Sequence, residues 1–266
     1  MIIIGIVLLL LIVYLLLLRG RRDHPGLSAL RGYFYAHRGL HGNGVPENSL
    51  KAFRLAVNHG YGAELDVHLM ADGNLAVIHD SSLKRTAGAD IKIEDLTVSD
   101  LLNYPLEGTA EIIPLLRQVL DLFEEKTPLI IELKTSGNNH AALCQAVCRM
   151  LDGYQGAFCL ESFDPRCIRW LKVHRPELIR GQLSENFMGD LKFPLIGRIA
   201  MSYLLTNFWN RPDFIAYKFA DRKNISVTFC QKIWGIQCVA WTLRSKEVLD
   251  EAVRENWLPI FEKFIP

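Results

Sequence analysis

Two histidines and three carboxylates stand where proton transfer and cation binding could meet. His37 and His79 each follow a short apolar run, in Ala36-His-Arg-Gly39 and Ile78-His-Asp80. An imidazole titrates near about 6.5, so one can accept a proton while another donates one close to neutral pH, the pairing that cleavage of a phosphodiester needs. Glu64 and Asp66 lie two apart in Gly62-Ala-Glu-Leu-Asp-Val67, and Glu132 stands two before Lys134. On a strand such pairs share a face, and the apolar Ala63, Leu65 and Val67 take the other, so the carboxylates point inward. Three inward carboxylates lose hydration and repel one another. A divalent cation resolves that conflict, and all-oxygen ligation by Glu64, Asp66 and Glu132 suits Mg²⁺ or Ca²⁺ better than Zn²⁺. The plainer alternative is a network of ion pairs at the mouth of a barrel. Arg38 and Lys134 bring positive charge for phosphate oxygens, Arg as a planar fork and Lys as a point charge, or simply neutralise neighbouring acids.

These residues need strands that end at one rim. Apolar, β-branched and aromatic runs occur at Tyr33–Ala36, Ala63–Met70, Leu75–Ile78, Leu129–Leu133, Ala157–Leu160, Leu178–Leu183, Phe214–Phe219 and Gln237–Leu243, alternating with amphipathic stretches. The rhythm predicts an α/β fold, a (β/α)₈ TIM barrel, in which catalytic groups come from the carboxyl ends of the strands. A first helix follows a cap at Asn48 or Ser49 and stops at Gly60; others are expected over 141–151 and 246–256. Residues 81–126 form a longer polar connection, a small insertion that can cap the site. The apolar run Phe187–Trp209 reads as a barrel helix with its loop, with a lipid-meeting patch as the second reading.

Met1–Leu18 carries no charge, and only Gly5 and Tyr14 interrupt its Leu/Ile/Val run. As a helix it would reach about 27 Å, close to the roughly 30 Å of a bilayer core, and Arg19, Arg21 and Arg22 follow it in place of a cleavage site. This predicts a single transmembrane anchor over 1–19, a basic linker over 20–32 and a catalytic barrel over 33–266, held on the cytoplasmic side by the arginines. Thirty basic against twenty-nine acidic residues give a net charge of +1, which offers nothing to nucleic acid. No obligate protein partner is inferred. Six scattered cysteines in a chain this long read as reduced thiols. His140, Cys144 and Cys148 share a helix face, but burial accounts for them more simply than a metal does. The chain has no HExxH, GxSxG or GxxxxGK[ST] pattern, which argues against metalloprotease, serine hydrolase and nucleotide hydrolase chemistry.

Taken in order, Ala36-His-Arg-Gly39, Pro46-Glu-Asn-Ser49, Glu64-Leu-Asp-Val67, Asp72-Gly73, His79-Asp80 with Leu83 and Arg85-Thr86, and Glu132-Leu-Lys134 form a set that resembles the glycerophosphodiester phosphodiesterase family. The resemblance is dense in the first half and continues thinly through Glu161-Ser-Phe-Asp164 and Trp241-Thr242. It implies a barrel of the phospholipase C type that hydrolyses a glycerophosphodiester to glycerol 3-phosphate and an alcohol with a divalent cation. By the same resemblance Glu64, Asp66 and Glu132 match metal ligands, His37 and His79 the acid/base pair, and Arg38 and Lys134 phosphate-contacting positions. Phe163 and Trp241 would line the glycerol or alcohol side, unless they are core. Beside a bilayer the substrate could also be a lysophospholipid, and the alternative from another class is a barrel that binds a lipid headgroup or a partner without catalysis. The segment Trp257–Pro266 departs from the Thr-Asp-Pro type ending of the family, which leaves the closure of the barrel open.

Overall fold

Alternation along the strands sets the two layers. In β2 (Gly62–Leu69), Ala63, Leu65 and Val67 pack outward while Glu64 and Asp66 face the interior. In β4 (Leu129–Leu133), Leu129, Ile131 and Leu133 pack outward, and Ile130 joins the inner cluster. The computed structural model describes residues 2–124, 126–192 and 194–266.

In chain order the elements are α1 (Ile2–Leu17), β1 (Tyr35–His37), α2 (Leu50–Asn58), β2, β3 (Leu75–Val77), α3 (Lys84–Ala87), α4 (Leu116–Phe123), β4, α5 (His140–Leu151), β5 (Phe158–Ser162) and α6 (Pro165–His174). They continue with β6 (Arg180–Ser184), α7 (Leu195–Ser202), α8 (Asn207–Asn210), β7 (Phe214–Lys218), α9 (Ile225–Lys232), β8 (Gln237–Leu243), α10 (Lys246–Arg254) and β9 (Trp257–Phe261). The strands lie in the order β1-β9-β8-β7-β6-β5-β4-β2-β3, and β1 also pairs with β2, closing a ring of eight parallel strands. The expected barrel is therefore present, but its eight strands are not the eight expected ones. Leu75–Val77 is not a barrel strand: the turn at Asp72-Gly73 folds it back antiparallel on β2. β1 reaches only to Glu64 on β2, so the upper edge at Val67–Leu69 is left for β3 to pair with. The eighth place is taken by β9, whose Pro259 and lack of alternation hide it from a pattern search.

Ser49, rather than Asn48, caps α2, its hydroxyl accepting from the Ala52 amide at 3.1 Å, which frees the Asn48 side chain for the site. The connection after β3 folds around its own apolar cluster, including Ile78, Leu83, Ile93, Leu101 and Ile113, before α4 rejoins the barrel. All six cysteines are buried and free.

The expected transmembrane anchor is not found. The helix is Ile2–Leu17, 16 residues, Met1 lies outside the described residues, and no helix among the described residues is long and apolar enough to cross a membrane. Its last turn is bound to the barrel instead. Tyr14 shares a 2.6 Å hydrogen bond with Ser226, Trp234 Nε1 donates to the Leu15 carbonyl at 2.9 Å, and Asn207 Nδ2 donates to the Leu18 carbonyl at 3.2 Å. Residues 20–32 then run across the amino-end of the barrel. Arg21 is bound to Asp213, and the 3-10 turn Pro25–Leu30 sets Leu27 and Leu30 into the inner cluster with Tyr35, Phe214 and Ile260.

Candidate active site

The strands and the loops after them deliver these groups to one site toward the carboxyl-end rim. β1 brings His37, β2 brings Glu64 and Asp66, β4 brings Glu132 followed by Lys134, and the loop after β3 brings His79. One ligand oxygen each of Glu64, Asp66 and Glu132 lies within 4.8 Å of the others, and all three side chains are buried. A pocket of about 50 Å³ is walled by His37, Arg38, Glu64, His79 and Glu132, with Phe163 and Trp241 opposite. Larger cavities lie elsewhere, including one of 860 Å³ among Arg31, Gln237 and Trp257 at the amino-end and one of 480 Å³ lined by His41 and Glu262, which with His37 form a second group that could hold a metal. The site is narrow because its own cations fill it. Lys134 Nζ sits 3.0 Å from Glu132 and 3.4 Å from Asp66, and Arg38 Nε sits 3.4 Å from Asp66.

The chain turns sharply after β1. Arg38 holds φ +55° and Gly39 φ +77°, and a Cβ on Gly39 would come within 2.8 Å of the Ala52 backbone carbon. The Arg38 conformation is uncommon for a residue with a side chain, and it is held from both ends. Its amide donates to Glu64 at 3.2 Å and its guanidinium to Glu47 at 2.9 Å.

Both imidazoles turn Nδ1 toward a carboxylate, His79 in a hydrogen bond and His37 at ion-pair distance. His79 Nδ1 is 2.7 Å from Asp80, whose other oxygen accepts from Arg85, and Arg85 also clamps Glu47 at 2.7 Å. His37 Nδ1 is 3.5 Å from Glu262, which accepts from Arg244 Nε at 2.8 Å and lies 3.4 Å from His41. His37 Nε2 faces the acidic cluster, 3.8 Å from Glu64.

Burial and like charge set the protonation of the cluster. Burial, reinforced by Asp66 and Glu132, pushes Glu64 well above the usual carboxylate range. Burial likewise pushes Glu132 up to about 7, with Lys134 opposing. Asp66 goes the other way: burial would raise it, but Lys134, His79 and Arg38 together hold it well below its ordinary value. Both imidazoles are lowered by burial, offset at His37 by Glu262 and at His79 by Asp66. The donor set fits a hard divalent cation. It is all oxygen, it carries more negative charge than the interior tolerates, and Asp66 Oδ1 is buried with no hydrogen bond, facing only the Lys134 ammonium at 3.4 Å.

The structure thus brings together all nine residues singled out in the sequence. Phe163 and Trp241 meet edge to face at 5.7 Å and line the same pocket. Several neighbours carried no assigned role. Asn48 donates to Asp66 at 2.9 Å; Glu47, Asp80 and Arg85 brace Arg38 and His79; buried Glu161 lies in register with Glu132 and is pushed up by burial and by that neighbour. Glu161 was findable, because it ends β5 as Glu132 ends β4. Glu262 was not, because β9 had not been read as a strand.

The model of the glycerophosphoryl diester phosphodiesterase family matches residues 37–257. A glycerophosphodiester phosphodiesterase of Bacillus altitudinis is 38% identical over 130 residues, 46% of this chain and 53% of that protein. A lysophospholipase D of Rattus norvegicus is 35% identical over 159 residues, 55% of this chain and 48% of that protein. The chain spans about half the length of these two relatives. Among solved structures, a Thermotoga maritima glycerophosphodiester phosphodiesterase superposes with a TM-score of 0.66 at 25% identity, over 86% of this chain and 93% of that one. An Oleispira antarctica phosphodiesterase, solved with its product sn-glycerol-3-phosphate, reaches 0.73 at 21% identity over 91% and 95%. With the family model spanning the chain from His37 at the end of β1 to Trp257 at the start of β9, the chain belongs to the glycerophosphoryl diester phosphodiesterase family.

Proposed function

We propose that the protein hydrolyses glycerophosphodiesters to glycerol 3-phosphate and an alcohol. The observation that carries this reading is the meeting of three buried carboxylates within 4.8 Å with two imidazoles, each turned toward a further carboxylate, around one small pocket. Family membership and the diesterase names of the relatives support the same substrate class.

Glu64, Asp66 and Glu132 would hold a divalent cation, Mg²⁺ or Ca²⁺, which when bound polarises the phosphoryl oxygens and neutralises developing charge. Arg38 and Lys134 add positive charge for the same oxygens. The nucleophile is a water, or the substrate's own neighbouring hydroxyl, in which case a cyclic phosphate forms and a water then opens it to glycerol 3-phosphate. One imidazole takes its proton as the new O–P bond forms, and the other donates a proton to the alcohol oxygen as the old P–O bond breaks. Carboxylates on Nδ1 leave both Nε2 atoms free for these transfers. Phe163 and Trp241 supply the apolar wall for the departing alcohol.

The test is turnover of glycerophosphocholine and glycerophosphoethanolamine after EDTA treatment and then with Mg²⁺ or Ca²⁺ restored. Cation-dependent release of glycerol 3-phosphate is expected; cation-independent turnover, or none, rejects the reading. A cytoplasmic placement is the companion proposal, supported by the six free thiols. Protection from protease in sealed, right-side-out vesicles, lost on lysis, is its expected signature.

A further inference from the structure

α1 leaves the barrel on the catalytic side. Tyr14 lies against Ser226 and Phe229, and four residues later the Leu18 carbonyl accepts from Cys230, four residues after Ser226. Equal steps in the same direction make α1 and α9 parallel. α9 begins just beyond the carboxyl end of β7, so its first turn is at the rim that carries the site. Ile2–Val13, every residue of it exposed, therefore extends about 18 Å past that rim at about 1.5 Å per residue.

A second apolar element occupies the same rim. The connection after β6 exposes Leu191 (84%), Leu195 (54%) and Ile196 (82%), and the end of α7 is tied to the first turn of α9, where Asn224 Nδ2 donates to the Ser202 carbonyl at 3.0 Å. Aromatic rings join this surface to the pocket: Phe187 meets Phe163 at 6.0 Å, and Phe163 meets Trp241 at 5.7 Å on the pocket wall.

We propose that the catalytic face docks on a lipid bilayer through α1, Leu191 and α7, so that the pocket opens toward lipid and accepts glycerophosphodiesters bearing an acyl chain. The substrate part rests on the phosphodiesterase reading above. Lipid is the occupant because α1 is apolar around its whole circumference and uncharged, whereas a protein groove covers one face of a helix. The Phe163–Phe187 pair then lines the path of the acyl chain from pocket to leaflet.

The six native cysteines are buried, so a thiol-reactive NBD dye on the full chain reports introduced sites selectively. Ile196→Cys probes the catalytic face; Glu177→Cys, between α6 and β6, probes the amino-end. With phosphatidylcholine/phosphatidylglycerol vesicles the Ile196 probe should brighten severalfold and the Glu177 probe should not. No response at Ile196, or equal responses, overturns the orientation. In parallel, Leu195→Asp with Ile196→Asp should lower vesicle-embedded lysophosphatidylcholine turnover at least tenfold relative to glycerophosphocholine turnover, and an unchanged ratio overturns the acyl-chain path. Absence of turnover on both diesters in the unaltered protein would reject the phosphodiesterase reading while leaving the dye result to judge the docking.

Discussion

At His37 and His79 the side chains differ in their support although their tasks are paired. His79 leans on Asp80 and Arg85 from its own loop, whereas His37 leans on Glu262 from the far end of the chain. Removal of either imidazole, His37→Ala or His79→Ala, should lower kcat by about 10²–10⁴ with the fold intact, as expected for loss of a general acid or base; a near-normal rate clears that residue of a catalytic role. Glu262→Gln keeps the size but removes the charge that orients His37. It should lower kcat about 10–100-fold, the usual cost of losing a supporting carboxylate, and leave KM nearly unchanged. An unaltered kcat would mean that His37 is positioned by Glu64 and packing alone. The carboxylate cluster makes a prediction about pH. For an acid raised in the folded state, the penalty is absent below its ordinary value near 4.5, grows as pH rises and is complete above the folded value, which for Glu132 is about 7. The lowered imidazoles of His37 and His79 act in the opposite sense below about 6.5, so metal-free protein should lose Tm, by several degrees, between about pH 6.5 and pH 8. Because Mg²⁺ or Ca²⁺ requires the ionised carboxylates, it should raise Tm more at pH 8 than at pH 5. Thermal melts with and without the cation measure both slopes, and a cation effect that is flat with pH would contradict binding at this cluster.

The elements explain why these side chains meet. Gly39 makes the turn that lets β1 end early and sends Arg38 back over the cluster. Gly39→Ala combines a positive φ with a backbone clash at 2.8 Å, so it should cost about 1–3 kcal/mol of stability and misplace both His37 and Arg38. Urea unfolding together with kcat checks this, and wild-type values in both would show that the turn relaxes freely. The same region marks what the sequence could disclose. Period-two alternation in β2 and β4 gave the inward carboxylates directly, because one face of each strand is apolar and the other is not. Alternation carries no information about strand direction, however, so β3 was counted into the barrel although the Asp72-Gly73 turn between it and β2 is a hairpin signal. β9 escaped for the opposite reason. Its five residues are all buried, and a proline is tolerated there because the ring closes on the short β1. Missing β9 also hid Glu262, so one misread element removed one functional neighbour.

On the scale of the whole molecule, the N-terminal region divides at Tyr14. Ahead of it, the exposed turns of α1 touch nothing that holds the barrel together; after it, the chain becomes the floor of the barrel. Leu18, Leu27 and Leu30 are buried, and Arg21 neutralises Asp213, which is 1% exposed and also accepts from the Arg180 amide at 3.0 Å. A chain shortened to begin at Tyr14 should therefore melt within about 2 °C of the full protein and keep turnover of soluble diesters. A chain shortened to begin at Tyr33 removes three buried leucines, each worth about 2–5 kcal/mol when truncated, and leaves a buried carboxylate without its Arg21 partner. Such losses rival the entire stability of about 5–15 kcal/mol that a domain typically has. The shorter form should be unfolded or aggregated at 25 °C, judged by far-UV circular dichroism and gel filtration. If it instead folded with a native melt, residues 20–32 would be a tether after all, and the inner cluster would have to close without Leu27 and Leu30. Between these two cut sites lies a distinction that composition does not carry: the apolar run and the basic stretch look like anchor and linker, yet the barrel takes the end of one, and Leu27 and Leu30 of the other, into its own core and floor.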